Sequence, residues 1–147
     1  MIRRFGESPQ SGRVYTRRVG VYALLPRGRH LLLTCQMEPG PDLQLPGGGI
    51  DPGESPVAAL HREVFEETGW LISGPRRVGA FRRFTYMPEY DLWAEKVCLI
   101  YSARPVRQLG PPTEALHEAL WMDSADAVDL LGNDGDRHFA TQHLNSL

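Results

Sequence analysis

Apolar residues fall in short runs along this chain, and breaks rich in glycine and proline separate them. Val19 to Leu25 is rich in β-branched and aromatic residues, and Pro26-Arg-Gly28 then turns the chain into His30 to Gln36. The pair predicts a β-hairpin. A Pro and Gly cluster from Glu38 to Asp42 leads to a short strand at Leu43 to Leu45, followed at once by Pro46-Gly-Gly-Gly49. That run reads as a glycine turn whose backbone a ligand can approach closely.

The pattern then changes to a helical one. Ser55 is a good N-cap, Pro56 suits the first helical position, and Gly69 sits where a C-terminal stop belongs, so a helix is predicted at 55–68. Val57, Leu60 and Val64 share one side, extended by Phe65 and Ala58, which predicts a helix buried on that side and acidic on the other. Val78 to Met87 and Trp93 to Ala103 read as strands joined by a turn at Pro88 to Asp91. Arg104 to Thr113 is proline-rich and reads as a loop. Ala119 to Met122 predicts a last strand. Asp123 or Ser124 can cap a short helix through Leu131, and Asn133-Asp-Gly135 breaks it before a final helix at Arg137 to Leu144. Strands on both sides of one central helix, with further helix at the end, predict an α/β (α+β) domain in which helices cover a largely antiparallel or mixed sheet.

Composition narrows this reading. At 147 residues with 41% hydrophobic side chains, the chain is expected to form a single domain, 1–147, with a real core. Sixteen Lys and Arg against eighteen Asp and Glu give a net charge of −2, which argues against broad nucleic-acid binding and leaves room for a local basic site. Cys35 and Cys98 each lie in an apolar run with no second cysteine nearby, so they are expected as buried free thiols rather than a disulfide or a metal pair. The first sixteen residues lack the apolar core of a signal peptide, and no run approaches the length of a membrane span. The cytoplasm is the expected location, with no membrane association.

The chemistry concentrates between Gly48 and Trp70, where Glu54, Glu63, Glu66 and Glu67 fall in a short stretch. With about 100° per helical residue, Glu66 lies near −60° and Glu67 near +40° from Glu63, so the three share one side. Such neighbours repel by a few tenths of a kcal/mol per pair, and Arg62 can relieve part of that by reaching Glu66. A hard divalent cation would relieve the rest. Oxygen ligands without nearby cysteine or paired histidine point to Mg²⁺, with Mn²⁺ as a substitute. The competing reading is a solvated acidic helix face after a plain glycine turn.

The ordered spacing favours the first reading. Gly48-x5-Glu54-x7-Arg62-Glu63-Val64-x-Glu66-Glu67-x-Gly69-Trp70 resembles the Nudix box, GX5EX7REUXEEXGU, at every fixed position. Trp70 is a mild departure, since the family more often has Val, Ile or Leu there. The resemblance implies a Nudix-like fold, a mixed β-sheet sandwiched between helices. It also implies Mg²⁺-dependent hydrolysis of a nucleoside diphosphate linked to another moiety, by water attack on phosphorus. Glu63, Glu66 and Glu67 are then the metal-binding carboxylates, the Gly48 carbonyl is a further ligand, and Arg62 orients the glutamates. Glu54 is equally explained by the helix dipole. The general base falls to Glu63 or Glu66, in competition with Glu114 and Glu118 after the proline-rich loop, of which Glu118 ranks higher because it directly precedes the last strand.

Outside the box, Tyr86, Tyr90 and Trp93 are candidates for stacking on a nucleobase, though they serve equally as strand-packing residues. Arg82 and Arg83 point to opposite faces of a strand, so only one, taken as Arg82, is a candidate for a substrate phosphate, against the favoured reading of a solvated sheet face. His30, His61, His117, His138 and His143 have no evident partners and are assigned no metal. The family's substrates include nucleoside triphosphates, dinucleoside polyphosphates, ADP-ribose and inositol polyphosphates, and a small-molecule nucleoside-diphosphate derivative ranks first. A Nudix-like module that binds or senses a nucleotide without turnover is the alternative, disfavoured by the intact glutamates. A homodimer is common in the family, and the apolar N-terminal hairpin could serve as its interface.

Overall fold

The computed structural model describes residues 2–147. In chain order the elements are β1 (Arg3–Arg4), β2 (Thr16–Leu24), β3 (Pro26–Arg27), β4 (His30–Gln36), β5 (Asp42–Gln44), β6 (Gly47–Gly49), α1 (Pro56–Thr68), β7 (Trp70–Met87), β8 (Leu92–Gln108), β9 (His117–Asp123), α2 (Ser124–Leu130) and α3 (Asp134–Asn145). A five-stranded mixed sheet runs β1-β7-β8-β2-β6, with β2 parallel to β8 and antiparallel to β6. A second sheet joins β3, β4 and β5, with β9 antiparallel to β4.

Two apolar clusters lie on the two faces of this strand layer. The first gathers Val21, Ala23, Leu32, Val97 and Leu99 under Leu60 and Val64 of α1. The second gathers Leu31, Leu33, Phe81 and Ile100 with Ala127 of α2 and Phe139 of α3. The helices therefore cover both sides of the strands, as the α/β (α+β) reading expects.

Several expectations are corrected. The hairpin of 19–25 with 30–36 does not form: β2 belongs to one sheet and β4 to the other, and only Pro26–Arg27 folds back on β4. Both edges of β4 are taken, one by β9 over its whole length and the other by β3 and β5, which leaves β2 no edge to pair with, while Leu32 faces the first core and Leu31 and Leu33 the second. The glycine run is a strand, with Gly49, Gly48 and Gly47 opposite Gly20, Val21 and Tyr22.

β7 and β8 extend well beyond the expected limits. β8 absorbs Arg104 to Gln108 from the proline-rich stretch, because its pairing with β2 ends at Ser102 and Pro105 pairs only with β7. A missing N–H is tolerated where one side of the ladder is open. α3 begins at Asp134, ahead of the expected start, because Asn133 caps it by accepting from the Asp136 N–H at 2.8 Å.

α1 runs from the Ser55 cap to Gly69, whose left-handed φ of 76° ends it. Its buried side holds Leu60 and Val64 as expected but is turned from the rest of the predicted face. Val57 and Ala58 are exposed, whereas Ala59, Leu60, Val64, Glu67 and Thr68 are buried. Glu67 thus shares its direction with the core residues instead of opposing them, while Glu66 stays partly exposed. Trp70 packs edge-on to Trp121 at 5.4 Å, so its departure from the usual residue is a matter of packing. Cys98 is buried and Cys35 half-buried, both free.

Candidate functional site

A cavity of about 730 Å³ opens where β6 meets α1. Gly48 makes this meeting close: a Cβ there would come under 3.0 Å from the carboxyl group of Glu63. Gly47 donates its N–H to Glu67 Oε1 at 2.9 Å. The three glycines therefore act less as a turn than as a strand without side chains, laid against two carboxylates.

Three contacts converge on His117 beside Glu67. His117 Nδ1 lies 3.4 Å from Glu67 Oε2 and 3.0 Å from the hydroxyl of buried Thr34. Its other nitrogen lies 3.7 Å from Glu114. Glu114 arrives by a backbone route. Helix ends leave carbonyls without partners, and here the Glu66 carbonyl accepts from both Thr113 and Glu114 N–H groups, each at 2.9 Å, while the Gly69 carbonyl accepts from Leu109. The loop 109–114 is thereby tied to the end of α1.

Burial pushes the Glu67 carboxyl well above the usual carboxylate range; the Gly47 N–H opposes this, and the carboxylates of Glu114, Glu63 and Glu66 add to it. Glu63 is also raised, by burial first, against the pull of Arg62. Glu54 behaves in the opposite way. Arg62 donates to it twice at 2.8 Å, and this pairing, helped by the Asp51 N–H, brings its pKa down to about 2. Arg62 also reaches Glu63 at 2.9 Å, Glu66 at 3.3 Å and the Gly49 carbonyl at 3.0 Å. One guanidinium thus fastens the helix to the glycine strand.

A divalent cation suits this donor set. Ligand atoms of Glu63, Glu66 and Glu114 lie within 4.8 Å of one another, as do those of Glu67, Glu114 and His117. Opposed oxygens around Mg²⁺ stand about 4.2 Å apart, so small side-chain shifts close the shell. Uncompensated buried carboxylates are costly without such a counter-charge.

Not every candidate comes to this place. Glu118 follows His117 in β9 and takes the other face of the strand; it is exposed and outside the cavity lining, whereas Glu114 and His117 line it. Tyr90 lines the cavity, with the Arg18 guanidinium 4.2 Å above its ring. Tyr86 and Trp93 border a separate open cavity of about 420 Å³. There Tyr86 hydrogen-bonds Asp91, and Trp93 lies under Arg13. Arg82 pairs with Glu95 at 3.0 Å, outside the main cavity. Sequence reasoning assigns His117 no partner, because Thr34 and Glu67 are distant in the chain; Thr34 meets it across the pairing of β4 with β9 and Glu67 from α1. Its spacing from Glu114 was the one available hint.

The model of the NUDIX domain matches residues 14–142. The "Putative 8-oxo-dGTP diphosphatase" of Bacillus subtilis (strain 168) is 31% identical over 74 residues, 50% of each chain. The chloroplastic Nudix hydrolase 26 of Arabidopsis thaliana is 41% identical over 63 residues, 43% of this chain and 28% of that one. The chain spans half or less of the length of these curated relatives. A NUDIX hydrolase structure from Nitrosomonas europaea superposes with a TM-score of 0.71 at 19% identity, covering 89% of this chain and 90% of the other. At that identity the likeness is one of fold. Among the described residues no helix is long and apolar enough to cross a membrane.

Proposed function

The chain belongs to the NUDIX domain family, and from that premise we propose that it is a divalent-metal-dependent pyrophosphohydrolase, most simply with Mg²⁺, acting on a small nucleoside-diphosphate derivative. The observation that carries this reading is the convergence of Glu63, Glu66, Glu67 and Glu114 beside the side-chain-free strand Gly47–Gly49. A bound divalent cation would neutralise charge building on the diphosphate and acidify the attacking water.

The chain's own groups have distinct parts in this proposal. Glu63, Glu66, Glu67 and Glu114 hold the cation, with the Gly48 carbonyl as a further donor. Arg62 fixes Glu63 and Glu66 relative to the glycine strand. His117 and the Gly47 N–H fix Glu67. Glu63 is the favoured base, since it faces the cavity and lies directly against Gly48. Its orientation toward the glycine strand favours a box residue over Glu118. Tyr90 offers a ring to a nucleobase; Tyr86, Trp93 and Arg82 lie elsewhere and are not retained in that role.

Incubation with Mg²⁺ and a panel of diphosphate-bridged compounds and nucleoside triphosphates, including 8-oxo-dGTP after the Bacillus relative, tests the reading. Cleavage of at least one compound that Glu67→Gln abolishes is expected. Nucleotide binding with no cleavage of any compound would replace the hydrolase by a binding module.

A further inference from the structure

β2, β8 and β7 lie side by side, and their registers set Arg18 opposite Lys96 and Lys96 opposite Arg83. Residues directly opposite on adjacent strands share a face. Three cations therefore stand in one row, on the face that carries Cys98 and Phe81 into the second core. The neighbouring row on the other face is neutralised: Glu95, between β2 and β7, accepts from Arg17 at 2.9 Å and from Arg82 at 3.0 Å. Among the described residues, none of Arg18, Lys96 and Arg83 forms an ion pair.

Like charges set opposite one another destabilise a sheet, and burial makes this worse. Lys96 is held below the usual lysine range by burial first and by Arg83 second. The carboxylates that act on it, Asp136 and Glu89, compensate only in part. Asp136 is itself buried and engaged by the Leu45 N–H at 3.1 Å, and Glu89 is exposed.

The row is not isolated from the candidate site. Arg18 and Lys96 line the same cavity as Gly48, Glu63 and Glu67. Gly20 pairs with Gly49, so the Arg18 backbone, two residues along β2, stands roughly 8 Å from Gly49, and that of Lys96 lies one strand, about 5 Å, further on. The cavity thus carries Glu63 and Glu67 beside the glycine strand and the cations Arg18 and Lys96 on the adjoining strands, with Glu89 also on its wall.

We propose that Arg18 and Lys96 form a second anion subsite, which takes a phosphate group that the substrate carries beyond the two phosphates of the cleaved bridge. Such a group is either the next phosphate of a linear chain or a phosphomonoester on the ribose. This rests on the pyrophosphohydrolase reading for the glutamates beside the glycine strand. Arg83 shares a narrow pocket with Lys96, Tyr22 and Asp136 on the side of the second core.

Calorimetric titration in EDTA with ADP, ATP, adenosine 3′,5′-bisphosphate and inorganic tripolyphosphate tests the subsite. The wild type is expected to bind ATP or the bisphosphate at least about tenfold tighter than ADP, and whichever gains names the source of the phosphate. Lys96→Met and Arg18→Gln should each reduce that ratio to about twofold, while Lys96→Met melts no lower than the wild type because a half-buried, uncompensated charge has been removed. A purely structural role for Lys96 predicts the reverse, a lower melting temperature with the ratio intact. Equal affinity for all compounds, a ratio that survives both substitutions, or no binding of any of the four at millimolar concentration overturns the proposal. Tripolyphosphate binding that depends on Lys96, with no compound cleaved in Mg²⁺, supports the subsite and removes the hydrolase reading instead.

Discussion

Glu54 and Glu67 flank the two ends of α1 and meet opposite environments. Glu54 sits at the solvated end, gripped by Arg62, with its pKa brought down to about 2. Glu67 is buried, its side chain 6% exposed, with the Gly47 N–H donating to it and His117 Nδ1 3.4 Å away, and it is pushed well above the usual range. The two differ in what answers their charge rather than in residue type. A neutralised carboxylate at the surface orders local structure, whereas an uncompensated one in the interior is held at a cost that a bound cation would offset.

The sharpest way to break the contrast is Glu67→Gln. Hydrolysis should fall at least about 100-fold, or ~2.7 kcal/mol in the barrier, measured as kcat/KM in Mg²⁺; a variant within threefold of the wild type would show that burial of this carboxylate serves packing alone. Stability in EDTA should respond in the opposite direction. A group with a raised folded pKa contributes stability that is full below its unfolded value, near 4.5, and is lost as pH rises through the folded value. Metal-free wild type should therefore melt progressively lower with rising pH, and Glu67→Gln should flatten that decline.

Metal addition probes the same end of the helix. At about 100 times its dissociation constant, Mg²⁺ should stabilise the wild type by ~2.7 kcal/mol, read as a higher melting temperature. Glu67→Gln should lose most of that gain, and an unchanged gain would place the cation away from Glu67.

At the other end, Arg62→Met should lower kcat about 10- to 100-fold, the range for a residue that orients metal ligands. Glu54→Gln should act mainly on acid stability. With a depressed folded pKa, Glu54 contributes stability above about 4.5 that is lost as pH falls toward about 2, and the variant should show a shallower acid limb in a pH series of thermal melts. Ser55→Ala should be the mildest, costing about 1 kcal/mol of stability through the lost cap to the Ala58 N–H and leaving kcat within about twofold.

Local signals in the sequence were sufficient for much of this. The limits of α1 follow from Ser55, Pro56 and Gly69, whose effects reach only adjacent backbone groups, and the box spacing identified the family that the domain match shows. Glu118 illustrates the opposite case. It ranked above Glu114 by its place before a strand, yet strand alternation turns it outward while the orphan carbonyl of Glu66 draws Glu114 in.

What the chain determines by itself is therefore the set of chemical groups and their spacing along one helix. Which glutamate is buried, which histidine supports it and which cations stand unpaired were decided by tertiary structure. The pairing of β6 with β2 lays glycines against Glu63 and Glu67, and that of β9 with β4 delivers His117. The pairing of β2, β8 and β7 aligns Arg18, Lys96 and Arg83. The physical reason is range. Capping and helical periodicity act over a few residues, whereas desolvation and charge depend on whatever the rest of the fold brings alongside, and strand register sets that between segments far apart in sequence.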